Sequence, residues 1–338
     1  MEMRPVTTSP RLTDRLGRRI SYLRLSVTDR CDLRCRYCMA EDMQFLPNGD
    51  LLTIDELAVL SENFIRRGVR KIRLTGGEPL VRRGIDDLAR AIGRHIGHGL
   101  DELTITTNGT LLDTHAEALA AAGVRRINVS LDSRDPDRFR AITRRGDLAD
   151  VLRGLEAAKA TGLAIKINMV ALKGINDDEI EPMLRWCAEQ GFDMTLIETM
   201  PLGEVDEDRV DRFLPLDGVR AQLAADYTLT PIDHRTGGPA RYSRVEELGV
   251  RIGFITPMTA NFCDGCNRVR VTASGEIFPC LGHEDAIDLR GALRSGQSDA
   301  IDAALDEAMS IKPDRHNFRI AERSAAPAVR RHMSVTGG

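Results

Sequence analysis

One phrase recurs four times in this chain: a helical stretch, a glycine, then a run rich in β-branched residues. It reads Gly68-Val-Arg-Lys-Ile-Arg-Leu, Gly123-Val-Arg-Arg-Ile-Asn-Val, Gly162-Leu-Ala-Ile-Lys-Ile-Asn and Gly191-Phe-Asp-Met-Thr-Leu-Ile. A glycine there can take the left-handed conformation that ends a helix, and the run after it reads as strand. The helices show independently. Thr53-x-x-Glu56 is a capping box with Leu57, Leu60 and Phe64 on one face, and Asp147 precedes Leu148, Val151, Leu152 and Leu155 at helical spacing. Six strands are predicted, near 20–27, 70–75, 102–106, 125–130, 163–170 and 193–198. Such alternation implies a parallel sheet with right-handed crossovers. It fits an incomplete barrel or an open doubly wound sheet, and periodicity does not separate the two.

The polar motifs fall at one end of these strands. Thr75-Gly-Gly-Glu-Pro79, Thr106-Thr-Asn-Gly109, Ser130-Leu-Asp132, Asn168 and Glu198-Thr-Met200 each follow a predicted strand, as does a cysteine loop after the first. In a βα barrel that rim is where sites are built. Glu78 there can accept hydrogen bonds from an ammonium, and the two glycines let backbone approach a ligand.

The loop reads Cys31-x3-Cys35-x2-Cys38. Three thiolates so spaced can hold three irons of a four-iron, four-sulfur cluster, leaving the fourth iron open to a small molecule. A zinc site would need a fourth nearby ligand, and a disulfide fits poorly here. A second triad, Cys263-x2-Cys266-x13-Cys280, has the same three-ligand character, although His283 is near enough in sequence to complete a zinc site. Cys187 shares an apolar stripe with Ile180, Met183 and Leu184 and reads as core.

Cations accompany the second triad. Arg268 and Arg270 alternate along a predicted strand, and Arg24, Arg73 and Lys166 lie on three others. Lys166 stands between Ile165 and Ile167 and is expected to face the lumen, where a cation needs an anionic partner. Together these residues suit a triphosphate held by forks and point charges. No G-x4-G-K-[ST] occurs. Lysine is scarce: five of the 47 basic residues, which leaves 42 arginines.

Net charge −4 over 338 residues argues against generic nucleic-acid binding. No apolar run approaches the roughly 20 residues of a membrane span. The N-terminal residues 1–19 lack the apolar region of a secretory signal and read as a short mobile arm.

These words resemble the radical S-adenosylmethionine (SAM) superfamily, with Tyr37 at the aromatic position before the third cysteine. Tyr22-Leu-Arg-Leu-Ser-Val-Thr-Asp-Arg-Cys31, Thr106-Thr-Asn-Gly109, Asn267-Arg-Val-Arg270 and the terminal Gly337-Gly338 narrow the resemblance to its GTP 3′,8-cyclase family. The resemblance implies an incomplete (β/α)6 TIM-type barrel at 1–200, a smaller α+β region with a second cluster at 201–326 and a tail at 327–338. It implies two [4Fe-4S] clusters on Cys31, Cys35, Cys38 and on Cys263, Cys266, Cys280. SAM contacts fall to Tyr37, Gly77, Ser130 and Met200, and GTP contacts to Arg24, Arg73, Thr106, Lys166, Arg268, Val269 and Arg270. SAM cleavage would give a deoxyadenosyl radical that takes the ribose 3′ hydrogen, after which C3′ joins C8 of guanine. The resemblance further implies a low-potential electron donor, a downstream cyclic pyranopterin monophosphate synthase, a cytoplasmic location, and a monomer or homodimer. Many relatives carry Arg where this chain has Thr195. Two alternatives are a peptide-modifying radical SAM enzyme, which would carry more C-terminal cysteines, and a two-cluster electron carrier, which has no use for open irons.

Overall fold

The computed structural model describes residues 11–205, 209–297, 299–320 and 326–337. The first half alternates strand and helix: β1 (Tyr22–Ser26), α1 (Ile54–Arg66), β2 (Lys71–Thr75), α2 (Ile85–Gly93), β3 (Glu102–Thr107), α3 (Leu112–Ala121) and β4 (Arg126–Ser130). It continues through α4 (Pro136–Thr143), α5 (Leu148–Ala160), β5 (Ala164–Ala171), α6 (Ile180–Gln190) and β6 (Asp193–Glu198). The remainder comprises α7 (Arg209–Arg212), α8 (Leu216–Asp226), β7 (Leu229–Ile232), β8 (Arg241–Val245), β9 (Val250–Ile255), β10 (Arg268–Val271) and β11 (Glu276–Phe278). Then follow β12 (Ile287–Asp288), α9 (Leu289–Arg294), α10 (Ala300–Ser310) and α11 (Met333–Thr336).

The local signals act as their chemistry dictates. Thr53 accepts from the Glu56 amide at 3.1 Å while Glu56 accepts from the Thr53 amide at 2.8 Å, closing the capping box that starts α1. Gly68, Gly123, Gly162 and Gly191 all have positive φ, from 74° to 94°, where the chain leaves a helix for the next strand. Cys187 is fully buried in α6 beside Leu184 and Met183.

All twelve strands form one sheet, ordered β12-β11-β10-β1-β2-β3-β4-β5-β6-β9-β8-β7. The run from β10 to β9 is parallel, and the outer pairs are antiparallel. The sheet keeps two free ends, so the barrel is incomplete. Strands from the second half extend it on both sides: β10 pairs with β1, and β9 with β6. Along β1, Leu23 and Leu25 enter the hydrophobic core while Tyr22 and Arg24 face an interior cavity, as a two-residue period requires.

One expectation needs correction. Residues 11–19 are not a mobile arm: Leu12 and Ile20 are buried, and Arg18 is pinned to Asp14 and to the carbonyls of Cys263, Pro313 and Asp314. Residues 1–10 lie outside the described residues. The end of the chain packs onto the rest of the protein: Leu202 bridges Val329, and Thr336 is fully buried. Gly338 lies outside the described residues.

Candidate functional site

The interior holds two adjoining cavities. The first is lined by Cys31, Cys35 and Cys38 and by Tyr37, Gly77, Ser130 and Met200, all four expected SAM contacts. The second is lined by Cys263, Cys266 and Cys280 together with Arg24, Arg73, Lys166, Arg268 and Arg270. Asn168, Ile197, Met200 and Met333 line both, so a molecule in one cavity has the other as its neighbour. Thr106 lines the first cavity but accepts from Arg73 Nη1 at 3.3 Å, which ties it to the second. Val269 lines neither: between Arg268 and Arg270 its side chain points into the core.

At the first triad the loops lock together. Gly77 donates to Thr28 O at 2.9 Å and Glu78 to Arg30 O at 2.7 Å; a Cβ on Gly77 would sit 2.3 Å from Arg30 O. The glycine pair therefore admits the cysteine loop's own backbone before any ligand. Glu78 is likewise occupied. Its carboxylate accepts from the Leu80 amide (2.9 Å), Thr107 Oγ1 (2.8 Å) and the Asn108 amide (2.6 Å), and it lines neither cavity. The expectation that it meets an ammonium is replaced by a positioning role, because those donors use both of its oxygens. Burial raises Glu78 to about 8 despite these bonds. Asp132 is also raised by burial, to about 6, while accepting from Tyr37 Oη at 2.7 Å and the Val170 amide at 2.8 Å. The cysteines feel both effects. Cys38 is pushed up to about 12, first by burial and further by Asp132; Cys31 and Cys35 are raised by burial, then chiefly by Glu78 and by Cys38.

The second cavity has the opposite character. Among the described residues no carboxylate lines it. Arg24, Arg73, Lys166 and Arg268 are buried, and the Nε atoms of Arg24, Arg73, Arg268 and Arg270 have no hydrogen-bond partner among the described residues. Burial first, then mutual repulsion, lowers Arg24 to about 10 and Arg270 to about 9, and holds Lys166 well below the usual lysine range. Lys166 reaches only a neutral group, Tyr242 Oη, at 3.0 Å. Burial would raise Tyr22, yet Arg73, Arg24, Lys71 and Arg268 bring it down to about 8. Cys266 is brought down to about 7 against burial by Arg268 and Lys312. So strong an uncompensated positive field fits a polyanion.

All six triad cysteines are free thiols. Among the described residues no three His, Cys, Asp or Glu side chains converge as a single metal ion requires. An iron–sulfur cluster takes each thiolate on a different iron and needs no such convergence, so the all-sulfur sets fit the cluster. His283 does not complete the second triad: its Nε2 meets Arg315 O at 3.0 Å. Thr195 is fully buried, lines neither cavity, and its hydroxyl has no partner. Lys312, Tyr22, Tyr242 and Asn128 were not singled out from the sequence. Lys312 carries a signal there as one of five lysines, and Tyr22 opens the phrase that runs to Cys31.

The fold and the first triad define a radical SAM protein. Residues 25–187 match the Radical SAM superfamily and residues 192–318 match Molybdenum Cofactor Synthesis C. The GTP 3′,8-cyclase of Erythrobacter litoralis (strain HTCC2594) is 63% identical over 97% of this chain and 98% of its own. That of Rhodopseudomonas palustris (strain TIE-1) is 59% identical over 99% of this chain and 98% of its own. Streptococcus suis SuiB bound to S-adenosylmethionine shares the fold at TM-score 0.61 and 16% identity, over 85% of this chain and 68% of that one. The chain belongs to the GTP 3′,8-cyclase family.

Proposed function

We propose that the two cavities divide the family's reaction between them, the first holding SAM and the second GTP. The reaction converts GTP to (8S)-3′,8-cyclo-7,8-dihydroguanosine 5′-triphosphate in molybdenum cofactor synthesis. Cys31, Cys35 and Cys38 would hold one four-iron cluster and Cys263, Cys266 and Cys280 another. When bound, the first supplies the electron that cleaves SAM, and the second offers an open iron to the guanine edge.

The chain's own residues position and enclose. Tyr37, Gly77, Ser130 and Met200 wall the SAM cavity, with the Tyr37 ring fixed through Asp132. Arg24, Arg73, Lys166, Arg268 and Arg270 take the triphosphate, and Thr106 orients Arg73. The Val269 backbone, paired to Leu23 in β1, fixes the spacing of the two arginines beside it. Gly337 lines the GTP cavity, and its carbonyl accepts from Arg24 at 3.4 Å. Holding the ribose beside the SAM cavity is catalysis by positioning. The cycle also calls for a low-potential electron donor and a downstream cyclic pyranopterin monophosphate synthase to consume the product. We read the protein as cytoplasmic, as a monomer or homodimer, without nucleic-acid or membrane partners.

The observation that carries this reading is the set of buried cations facing a cavity with no carboxylate among its described lining. It is tested by anaerobic incubation of the reduced, reconstituted protein with SAM and either GTP or ATP. Deoxyadenosine should form with GTP and not with ATP. Deoxyadenosine formed equally with neither nucleotide present would overturn the assignment.

A further inference from the structure

Lys312, two residues beyond α10, is 2% exposed. Its ammonium reaches Cys266 Sγ at 3.7 Å, Arg268 O at 3.0 Å and Pro279 O at 2.5 Å. Two of these are carbonyls beside the second triad, and the third is a thiol of the triad itself. Among the described residues no carboxylate forms a salt bridge with this lysine. Arg18 and Arg331 stand at the other two cysteines, but they bond to the backbone carbonyls of Cys263 (2.9 Å) and Cys280 (3.4 Å). Of these three cations, Lys312 is the one that reaches a sulfur. The first triad contrasts with this: Cys31 Sγ takes its hydrogen bonds from neutral groups, the Leu33 amide at 3.4 Å and Asn108 Nδ2 at 3.9 Å.

A buried ammonium with no carboxylate partner is costly unless another negative charge offsets it. A cysteine thiolate ligating a cluster supplies that charge, and a hydrogen bond to a ligand sulfur is one of the levers that set a cluster's potential. We propose that Lys312 is a positioning residue of the second iron–sulfur site, whose charge retains the cluster and raises its reduction potential. The proposal rests on reading Cys263, Cys266 and Cys280 as cluster ligands. The couple is [4Fe-4S]2+ plus one electron from an external low-potential donor, giving [4Fe-4S]+; no bond forms or breaks. The reduced form carries one more negative charge, so a cation on its ligand stabilises it more than the oxidised form.

The test is an EPR-monitored redox titration of reconstituted holoenzyme, with added GTP marking the second cluster's signal. Wild type is compared with Lys312→Met, Lys312→Gln and Lys312→Arg, with iron counted in each. For the neutral variants the reduced-to-oxidised ratio at the wild-type midpoint should fall at least tenfold, about 59 mV for a one-electron couple. Lys312→Arg should stay near wild type, and the first cluster's potential should not move. Loss of the second cluster from both neutral variants, with retention in Lys312→Arg, would equally support the role of charge. The idea is overturned if the neutral variants hold the cluster at the wild-type potential. It is also overturned if Lys312→Arg shifts or loses the cluster as fully as Lys312→Met does. Wild-type protein that binds only one cluster's iron would instead sink the reading of the second triad, not the lysine's role.

Discussion

The two cysteine triads offer the same ligands in opposite surroundings. Around the first, Glu78, Asp32 and Asp132 add negative potential to burial and push the thiols up. Around the second, Arg268 and Lys312 draw Cys266 down to about 7 against burial, although burial still raises Cys263. Neighbouring charge therefore separates two sites that spacing alone makes look alike. On the proposed reading, the carboxylates beside the first triad would disfavour an added electron on a cluster held there. The second setting favours bound anions, and on the reading above it receives both a cluster and a triphosphate. On the proposed reading the contrast is one of function: one site would give electrons, the other hold substrate.

The largest test of that contrast is Cys35→Ser. An incomplete first triad should abolish deoxyadenosine formation, while GTP binding stays largely intact. Cys266→Ser should do the reverse, keeping SAM binding but weakening GTP binding and stopping cyclisation. Equilibrium binding of both ligands to both variants checks this, and equal loss of both ligands from either variant would erase the distinction. Arg268→Ala and Lys166→Ala should each weaken GTP binding by about 1.5–3 kcal/mol per charged hydrogen bond lost, with guanosine affinity nearly unchanged. A matching loss for guanosine would mean that these side chains shape the cavity or touch the base.

Glu78→Ala should destabilise the fold by about 1–3 kcal/mol, because its removal strands donors that are now satisfied. Denaturant unfolding measures that loss, and SAM affinity should fall with it while GTP affinity holds. The smallest effect concerns pH. Lys166 has its pKa lowered by burial, Arg73 and Arg126, so at higher pH it must gain a proton to meet a phosphate. GTP affinity should therefore fall as pH rises above that lowered pKa. Calorimetry in buffers of different ionisation enthalpy should show proton uptake on binding, and Lys166→Met should abolish it.

Much of this was legible in local sequence. Each of the four glycine phrases ends a helix with positive φ, because only that backbone geometry turns a helix end into the next strand there. The first cysteine triad and the four expected SAM contacts converge because they all follow parallel strands at one end of the sheet, whereas Cys263 and Cys266 precede β10 and Cys280 follows the antiparallel β11. What stayed hidden depends on contacts far apart in the chain. Leu23 pairs with Val269 across the sheet, and no local periodicity encodes that the second half of the chain extends the first half's sheet. The Arg-rich N-terminus masks Arg18, whose partners include Cys263 and Asp314. The role of Glu78 was misread because its donors Thr107 and Asn108 come from another loop. Lysine scarcity was an underused clue. Lys71, Lys166 and Lys312 are all buried, the second at the cation-lined cavity and the third at the second triad.

The central claim is that a SAM-derived radical in the first cavity meets the ribose of GTP in the second across their shared wall of Asn168, Ile197, Met200 and Met333. Its most direct measurement uses GTP carrying deuterium at C3′, incubated anaerobically with SAM and reduced holoenzyme. The account predicts one deuterium in the 5′-deoxyadenosine that accumulates, in step with cyclised product. Deoxyadenosine free of deuterium, formed at the same rate as product, would contradict it.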